Sequence, residues 1–230
     1  MTTITQRIKE SIVELIEEYK IQKTQKLKNK SNVHLGRNIS MGSQFQYIFA
    51  KKLFANSSYK VLVDYPIRYD GKYKSGKKGK KNLYPDILIL NKNGVLKALI
   101  ELKIDLGFLR GNYRKDLKRV ISAFEKNGEM KYNQFVGFSN SEEVYIKIPK
   151  NFIKIFIIGT KINHTDRVEP FKKNVKALGF KPLILLDKVH PNPLPDVTNF
   201  RMEMINLKKQ ANNEIDSKRE DINRVFKGLF

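Results

Sequence analysis

Asp86, Glu101 and Lys103 are the residues whose types and spacing point most directly to chemistry. They lie in the stretch Tyr84-Pro85-Asp86-Ile87-Leu88-Ile89-Leu90-Asn91-Lys92-Asn93-Gly94-Val95-Leu96-Lys97-Ala98-Leu99-Ile100-Glu101-Leu102-Lys103. Two apolar, strand-like runs flank Asn93-Gly94, a strong hairpin signal because both residues tolerate positive φ. A two-residue turn there sets Lys92 opposite Val95 and, counted back along both strands, Asp86 opposite Glu101. Side chains alternate faces with period two, so Lys103 shares the face of Glu101. A turn at Lys92-Asn93 keeps that face and makes the acid pair diagonal, whereas a three-residue loop sends the acids to opposite faces. Two carboxylates facing each other across a sheet repel. A hard divalent cation such as Mg²⁺ resolves the repulsion, because it takes oxygen ligands and keeps several waters. A neighbouring ammonium orients or deprotonates one of those waters, which is the apparatus of metal-assisted phosphodiester hydrolysis. The plain alternative is a half-buried hairpin with a solvated acid pair and Lys103 as an ordinary salt-bridge partner.

The elements that must position this hairpin are read from periodicity. Ile4, Ile8, Ile12, Leu15, Ile16 and Tyr19 form one stripe of a first helix, from about Thr5 to Lys28. Its basic end suits the helix dipole as well as a nucleic acid. A loop over 31–40 precedes a second helix, Gly42 to Phe54, with Ser40 or Ser43 as cap. A strand is predicted from Lys60 to Tyr69. Asp70 to Asn82 holds Lys72, Lys74, Lys77, Lys78, Lys80 and Lys81 among glycines, and reads as a flexible basic loop that grips phosphates. After Lys103 comes a helix from about Asn112 to Lys126, buried through Leu117, Val120, Ile121 and Phe124. Arg110, Arg114 and Lys118 recur at four-residue spacing, either as a phosphate-binding ridge or as a solvated face. Between Asn127 and Pro149 only a short strand over Val144 to Ile148 is suggested. Phe152 to Ile158 suits a central strand, Asp166 to Leu178 a helix closed at Gly179, and Pro182 to Leu186 a further buried strand. The run His190-Pro191-Asn192-Pro193-Leu194-Pro195 reads as a rigid loop. A last helix, about Phe200 to Phe226, reads as an arm for a partner subunit. Alternation of strands and helices after Lys103 argues for an α/β fold with a mixed central sheet and flanking helices.

Composition bounds the partners. The 230-residue chain is 40% hydrophobic, enough for a sizeable core, and its 45 Lys and Arg against 23 Asp and Glu give a formal net charge of +22. Such an excess points to a polyanion, nucleic acid ahead of an anionic membrane. There is no cysteine, which excludes disulfides and thiolate zinc sites. His34, His164 and His190 are far apart in sequence and show no ligand spacing. No apolar run approaches the ~20 residues of a membrane span, and the acidic N-terminus lacks a signal-peptide core. A cytoplasmic, DNA-associated protein with no membrane contact is expected.

Pro85-Asp86 followed by Glu101-Leu102-Lys103 on two strands of one hairpin resembles the PD-(D/E)xK nucleases, a superfamily of type II restriction endonucleases, Holliday-junction resolvases and repair nucleases. The order helix, three strands, helix, strand from about residue 42 to 160 matches that family's core. The resemblance implies a single restriction-endonuclease-like domain with helical extensions at 1–30 and 200–230. It implies that Asp86, Glu101 and the Leu102 carbonyl ligate Mg²⁺, with Mn²⁺ as a substitute, and that Lys103 sits at the attacking water. The family often adds an acid from the helix before the first strand. Here that helix offers Gln44 and Gln46 instead, while Glu14, Glu17 and Glu18 lie on the preceding helix. The expected activity is Mg²⁺-dependent cleavage of double-stranded DNA by a homodimer, most like a type II restriction endonuclease. A junction resolvase, a repair nuclease and a non-catalytic DNA-binding protein on the same fold are the alternatives.

Overall fold

A computed structural model describes residues 2–28, 41–72, 78–109, 112–136, 140–162, 164–192 and 200–230. Helices α1 (Ile4–Lys28) and α2 (Met41–Phe54) come first, followed by strands β1 (Lys60–Val63), β2 (Ile67–Lys72), β3 (Lys78–Leu83), β4 (Ile87–Leu90) and β5 (Leu96–Asp105). A 3₁₀ turn at Leu106–Phe108 leads to α3 (Tyr113–Lys126), β6 (Glu129–Val136), β7 (Asn140–Lys147) and β8 (Ile153–Thr160). The chain ends with α4 (Val168–Lys176), β9 (Lys181–Leu186), α5 (Phe200–Ser217) and α6 (Arg219–Phe226). A five-stranded sheet runs β1-β4-β5-β8-β9 and a four-stranded one β3-β2-β6-β7. In the larger sheet β1, β4 and β5 are antiparallel neighbours, while β5, β8 and β9 run parallel. The fold is therefore mixed α/β, with a mixed central sheet between helices.

Each face of that sheet has its own core. Ile87, Ile89, Ile100, Leu102, Ile155 and Ile157 pack on one side against α1, α2, α5 and α6. Leu88, Leu99, Phe156 and Ile158 pack on the other against α3, α4 and the four-stranded sheet. Burial on both faces explains why β4 is apolar at every position. In α3 the buried residues Leu117, Val120, Ile121 and Phe124 fall on one helical stripe. The last helix expected from Phe200 to Phe226 is two helices, α5 and α6, and both pack into the first of these cores rather than standing out as an arm.

The β4–β5 hairpin keeps the register expected of it by a different turn. Ile87 pairs with Ile100, Leu88 with Leu99 and Ile89 with Ala98, but Leu90 pairs with Leu96. The loop is thus longer than two residues, and a bulge at Lys97 absorbs the extra position. Without it the strand would slip by one and send Glu101 to the other face. The side-chain oxygen of Asn91 accepts from the Asn93 and Val95 amides at 3.0 and 2.9 Å. Within this turn only Gly94 has positive φ, at 72°, and a Cβ there would lie 3.1 Å from the Tyr145 carbonyl of β7.

Two expectations for the preceding chain are corrected. The single strand from Lys60 to Tyr69 is divided at Asp64, whose φ of 48° turns the chain out of the larger sheet. The basic loop from Asp70 to Asn82 is largely a hairpin, with Ile67 paired to Leu83 and Asp70 to Lys80. Buried Ile67 and Leu83 anchor its open end, and pairing overrides the poor strand propensity of Gly and Lys. The stretch from Asn127 to Pro149 likewise forms two eight-residue strands, β6 and β7, where only a short one was expected.

Candidate active site

Asp86 and Glu101 stand one position beyond the last registered pair of the central hairpin, Ile87 with Ile100. Strand alternation puts them with Lys103 on the face that α3 covers, because Leu88 and Leu99 belong to that side's core. Both carboxylates are 8% exposed. One oxygen of Asp86, Oδ2, accepts from the Leu102 backbone N–H and from Lys103 Nζ, each at 2.7 Å. Lys103 Nζ lies 3.7 Å from Glu101 Oε2, so one ammonium bridges the two acids. Burial pushes the Glu101 carboxyl well above its ordinary range, and the Asp86 charge adds to the shift while Lys103 opposes it. Burial works against the Lys103 charge, but the two carboxylates outweigh it and raise its pKa. A strand residue directs its N–H and C=O to the same edge. The Leu102 carbonyl therefore faces the side on which its N–H meets Asp86.

The pair opens into a cleft of about 390 Å³ lined by Tyr84, Leu109, Tyr113, Asp116, Leu117, Arg119, Val120 and Phe156 as well as the three polar residues. Among the described residues no group of three or more Asp, Glu or His side chains is arranged to hold a metal ion. A cation here would draw on two carboxylates, the Leu102 carbonyl and water. That set fits Mg²⁺, which keeps much of its water.

No family model matches the chain, and no curated protein or solved structure matches it significantly. Its site is therefore read from its own residues.

Other residues singled out in the sequence are placed differently. Helix α2, with Gln44 and Gln46, packs on the face of the sheet opposite the carboxylates. Neither glutamine lines the cleft, and among the described residues the buried Gln46 Oε1 has no hydrogen-bond partner. Glu14 pairs with Lys52 at 2.8 Å, and Glu17 pairs with Lys208, which lowers its pKa. Both acids thus tie α1 to its neighbouring helices. Arg114 and Lys118 are exposed on α3 outside the cleft, whereas Arg119 lines it. Lys72, Lys78, Lys80 and Lys81 lie in the strands of the β2–β3 hairpin. Lys74, Lys77, Arg110 and His34 lie outside the described residues, as does the run Pro193 to Pro195.

Sequence reasoning missed several groups. Asp64 donates its backbone N–H to the Asp86 carbonyl at 2.9 Å. Burial and the Asp86 charge raise its carboxyl pKa against the opposing pull of Lys103. Its positive φ is not visible in the string of residues. His164 and His190, distant in sequence, converge on buried Asp105, with Nε2 atoms 3.7 Å from Oδ1 and 3.3 Å from Oδ2. Parallel pairing of β5, β8 and β9 aligns their C-terminal ends and so gathers these residues. The strand order was the missing signal. Tyr19 is drawn into the same electrostatic environment: burial, then the Asp105 charge, raises its hydroxyl pKa to about 12.

Proposed function

We propose that the protein is a Mg²⁺-dependent endodeoxyribonuclease of the PD-(D/E)xK kind, most like a type II restriction endonuclease acting on double-stranded DNA. The observation that carries this reading is the buried Asp86–Glu101 pair bridged by Lys103 on one face of one hairpin. The order α2, β1, β4, β5, α3, β8 within the central sheet supports it, since β1, β4 and β5 are antiparallel and β8 returns parallel to β5. The net charge of +22 suits a phosphodiester polymer.

In this reading Asp86, Glu101 and the Leu102 carbonyl would hold Mg²⁺, which would supply a Lewis acid for a phosphoryl oxygen and lower the pKa of a bound water. The two carboxylates beside Lys103 raise its pKa. Its ammonium would orient the attacking water or a phosphate oxygen as a hydrogen-bond donor and stabilise developing charge. Water adds to phosphorus and one P–O ester bond breaks, leaving a phosphate monoester and a hydroxyl end. The Leu102 N–H fixes the Asp86 carboxylate and so sets its aim.

The test is incubation of plasmid DNA with the protein in Mg²⁺ or EDTA, using wild type, Asp86→Asn and Glu101→Gln. The expected result is Mg²⁺-dependent linear or discrete products from wild type only, with DNA binding retained by both variants. Cleavage by either variant at the wild-type single-turnover rate refutes the assignment.

A further inference from the structure

The wall of the cleft is unsuited to a phosphate backbone. Leu109, Leu117, Val120 and Phe156 offer phosphates nothing, and they begin where the carboxylate pair ends. Tyr84 stands two residues before Asp86, lines the same cleft and is 60% exposed. Tyr113, from the first turn of α3, lines it too, and its hydroxyl accepts from the Asn174 side-chain amide at 3.1 Å. Arg119 and Asp116 add polar groups to the lining, 3.9 Å from each other and both well exposed. Aromatic rings, an apolar wall and a few polar groups beside a phosphodiester site match a planar heteroaromatic ring joined to a phosphate. The 390 Å³ volume lies at the small end of ligand pockets, which run from ~300 to 1,000 Å³. It has room for one nucleotide and not for a stacked duplex.

We propose that this cleft is a nucleobase subsite, which takes one unpaired or extruded nucleotide beside the cleaved phosphate and stacks its base on Tyr84. The inference rests on the nuclease reading of the same site and names its substrate class. A base held among Tyr84, Leu117 and Phe156 has left its stack and its pairing partner. That transfer costs least where the nucleotide is already mismatched, branched or single-stranded. Stacking on an aromatic ring is tolerant of base identity, so the subsite itself adds no base-sequence readout to the site.

The experiment compares two labelled probes of equal length and charge, in EDTA, by fluorescence anisotropy. One is a twelve-residue oligothymidylate and the other its abasic analogue, in which every base is replaced by hydrogen. Tyr84→Ala is expected to weaken binding of the oligothymidylate about 5- to 150-fold, the range of one lost base–aromatic stack. Binding of the abasic strand is expected to stay within about twofold, because its phosphates are unchanged. Tyr84→Phe, which keeps the ring, restores oligothymidylate binding. Equal loss for both probes, or loss for neither, overturns the subsite while leaving the plasmid result standing. If wild type binds neither probe and leaves plasmid uncut, the nuclease reading falls with it.

Discussion

Replacing Lys103 by Met tests whether the ammonium holds the carboxylate pair together. The substitution keeps the length of the side chain and removes its charge. Asp86 and Glu101 side chains are only 11% and 10% exposed, so their repulsion is then answered by neither solvent nor a cation. Breaking a fully buried ion pair costs about 3–5 kcal/mol. Lys103 itself is 33% exposed, which screens part of the interaction, so about 2 kcal/mol is expected. For a chain of this length 1 kcal/mol moves Tm by about 2–4 °C, giving a fall of about 4–8 °C in EDTA.

The sign of the pH dependence follows from Glu101. Its folded pKa is raised above the ordinary 4.5, so the folded state binds more protons than the unfolded one above that value. Its stabilising contribution is full below 4.5 and is lost as pH rises through the folded pKa. Removing Lys103, which opposes the rise, extends this window upward. The deficit of Lys103→Met should therefore grow from pH 5 to pH 8, and Mg²⁺ should shrink it by binding the ionised pair. Single-turnover cleavage should fall about a hundredfold or more. The assay is circular-dichroism melting across pH, with and without Mg²⁺. An unchanged Tm at pH 8 in EDTA, or a deficit larger at pH 5 than at pH 8, refutes the reasoning.

Gly159→Ala should cost about 1–3 kcal/mol, because its Cβ would lie 2.6 Å from the Ile104 carbonyl, a backbone atom that cannot swing aside. Chemical denaturation measures it, and a change below about 0.5 kcal/mol shows that β5 and β8 can part. At Asp64, Val should cost about 1–2 kcal/mol through the left-handed backbone, while Asn should stay within about 0.5 kcal/mol. Equal melting of the two variants contradicts the turn at that residue. Changing Lys77, Lys78, Lys80 and Lys81 together to Ala should flatten the salt dependence of duplex binding by as much as ~2–4 log units per log unit of salt. An unchanged slope in an anisotropy titration removes these lysines from the phosphate contacts.

The acid pair was legible because it needs only local information: an Asn-Gly turn between apolar runs, and period-two alternation. Even so, the register rests on Lys97, whose bulge offsets a turn longer than two residues, and no residue type marks that position. The small sheet was not legible. Gly71 and the lysines of β3 have poor strand propensity, and β7 is exposed at most of its positions. Two local hairpins, β2–β3 and β6–β7, are joined into one sheet by a pairing between residues far apart in the chain, where Arg68 meets Lys131. The cluster at Asp105 was hidden for the same reason, since it depends on which parallel strands lie side by side.

The four-stranded sheet is made of two excursions from the five-stranded one. The first leaves after β1 and returns at β4, and the second leaves after α3 and returns at β8. The first departs and re-enters at strands of the central sheet, and the second departs from α3 and re-enters at β8, so their lengths can drift while Asp86 and Glu101 hold their places. The lysines sit on the first excursion and the support of the β4–β5 turn on the second, through Lys147 N–H to the Gly94 carbonyl at 3.0 Å. Selection can therefore remodel the lysine-rich excursion without touching the carboxylates. The second excursion is the less negotiable of the two, because it props up the hairpin that carries the acid pair.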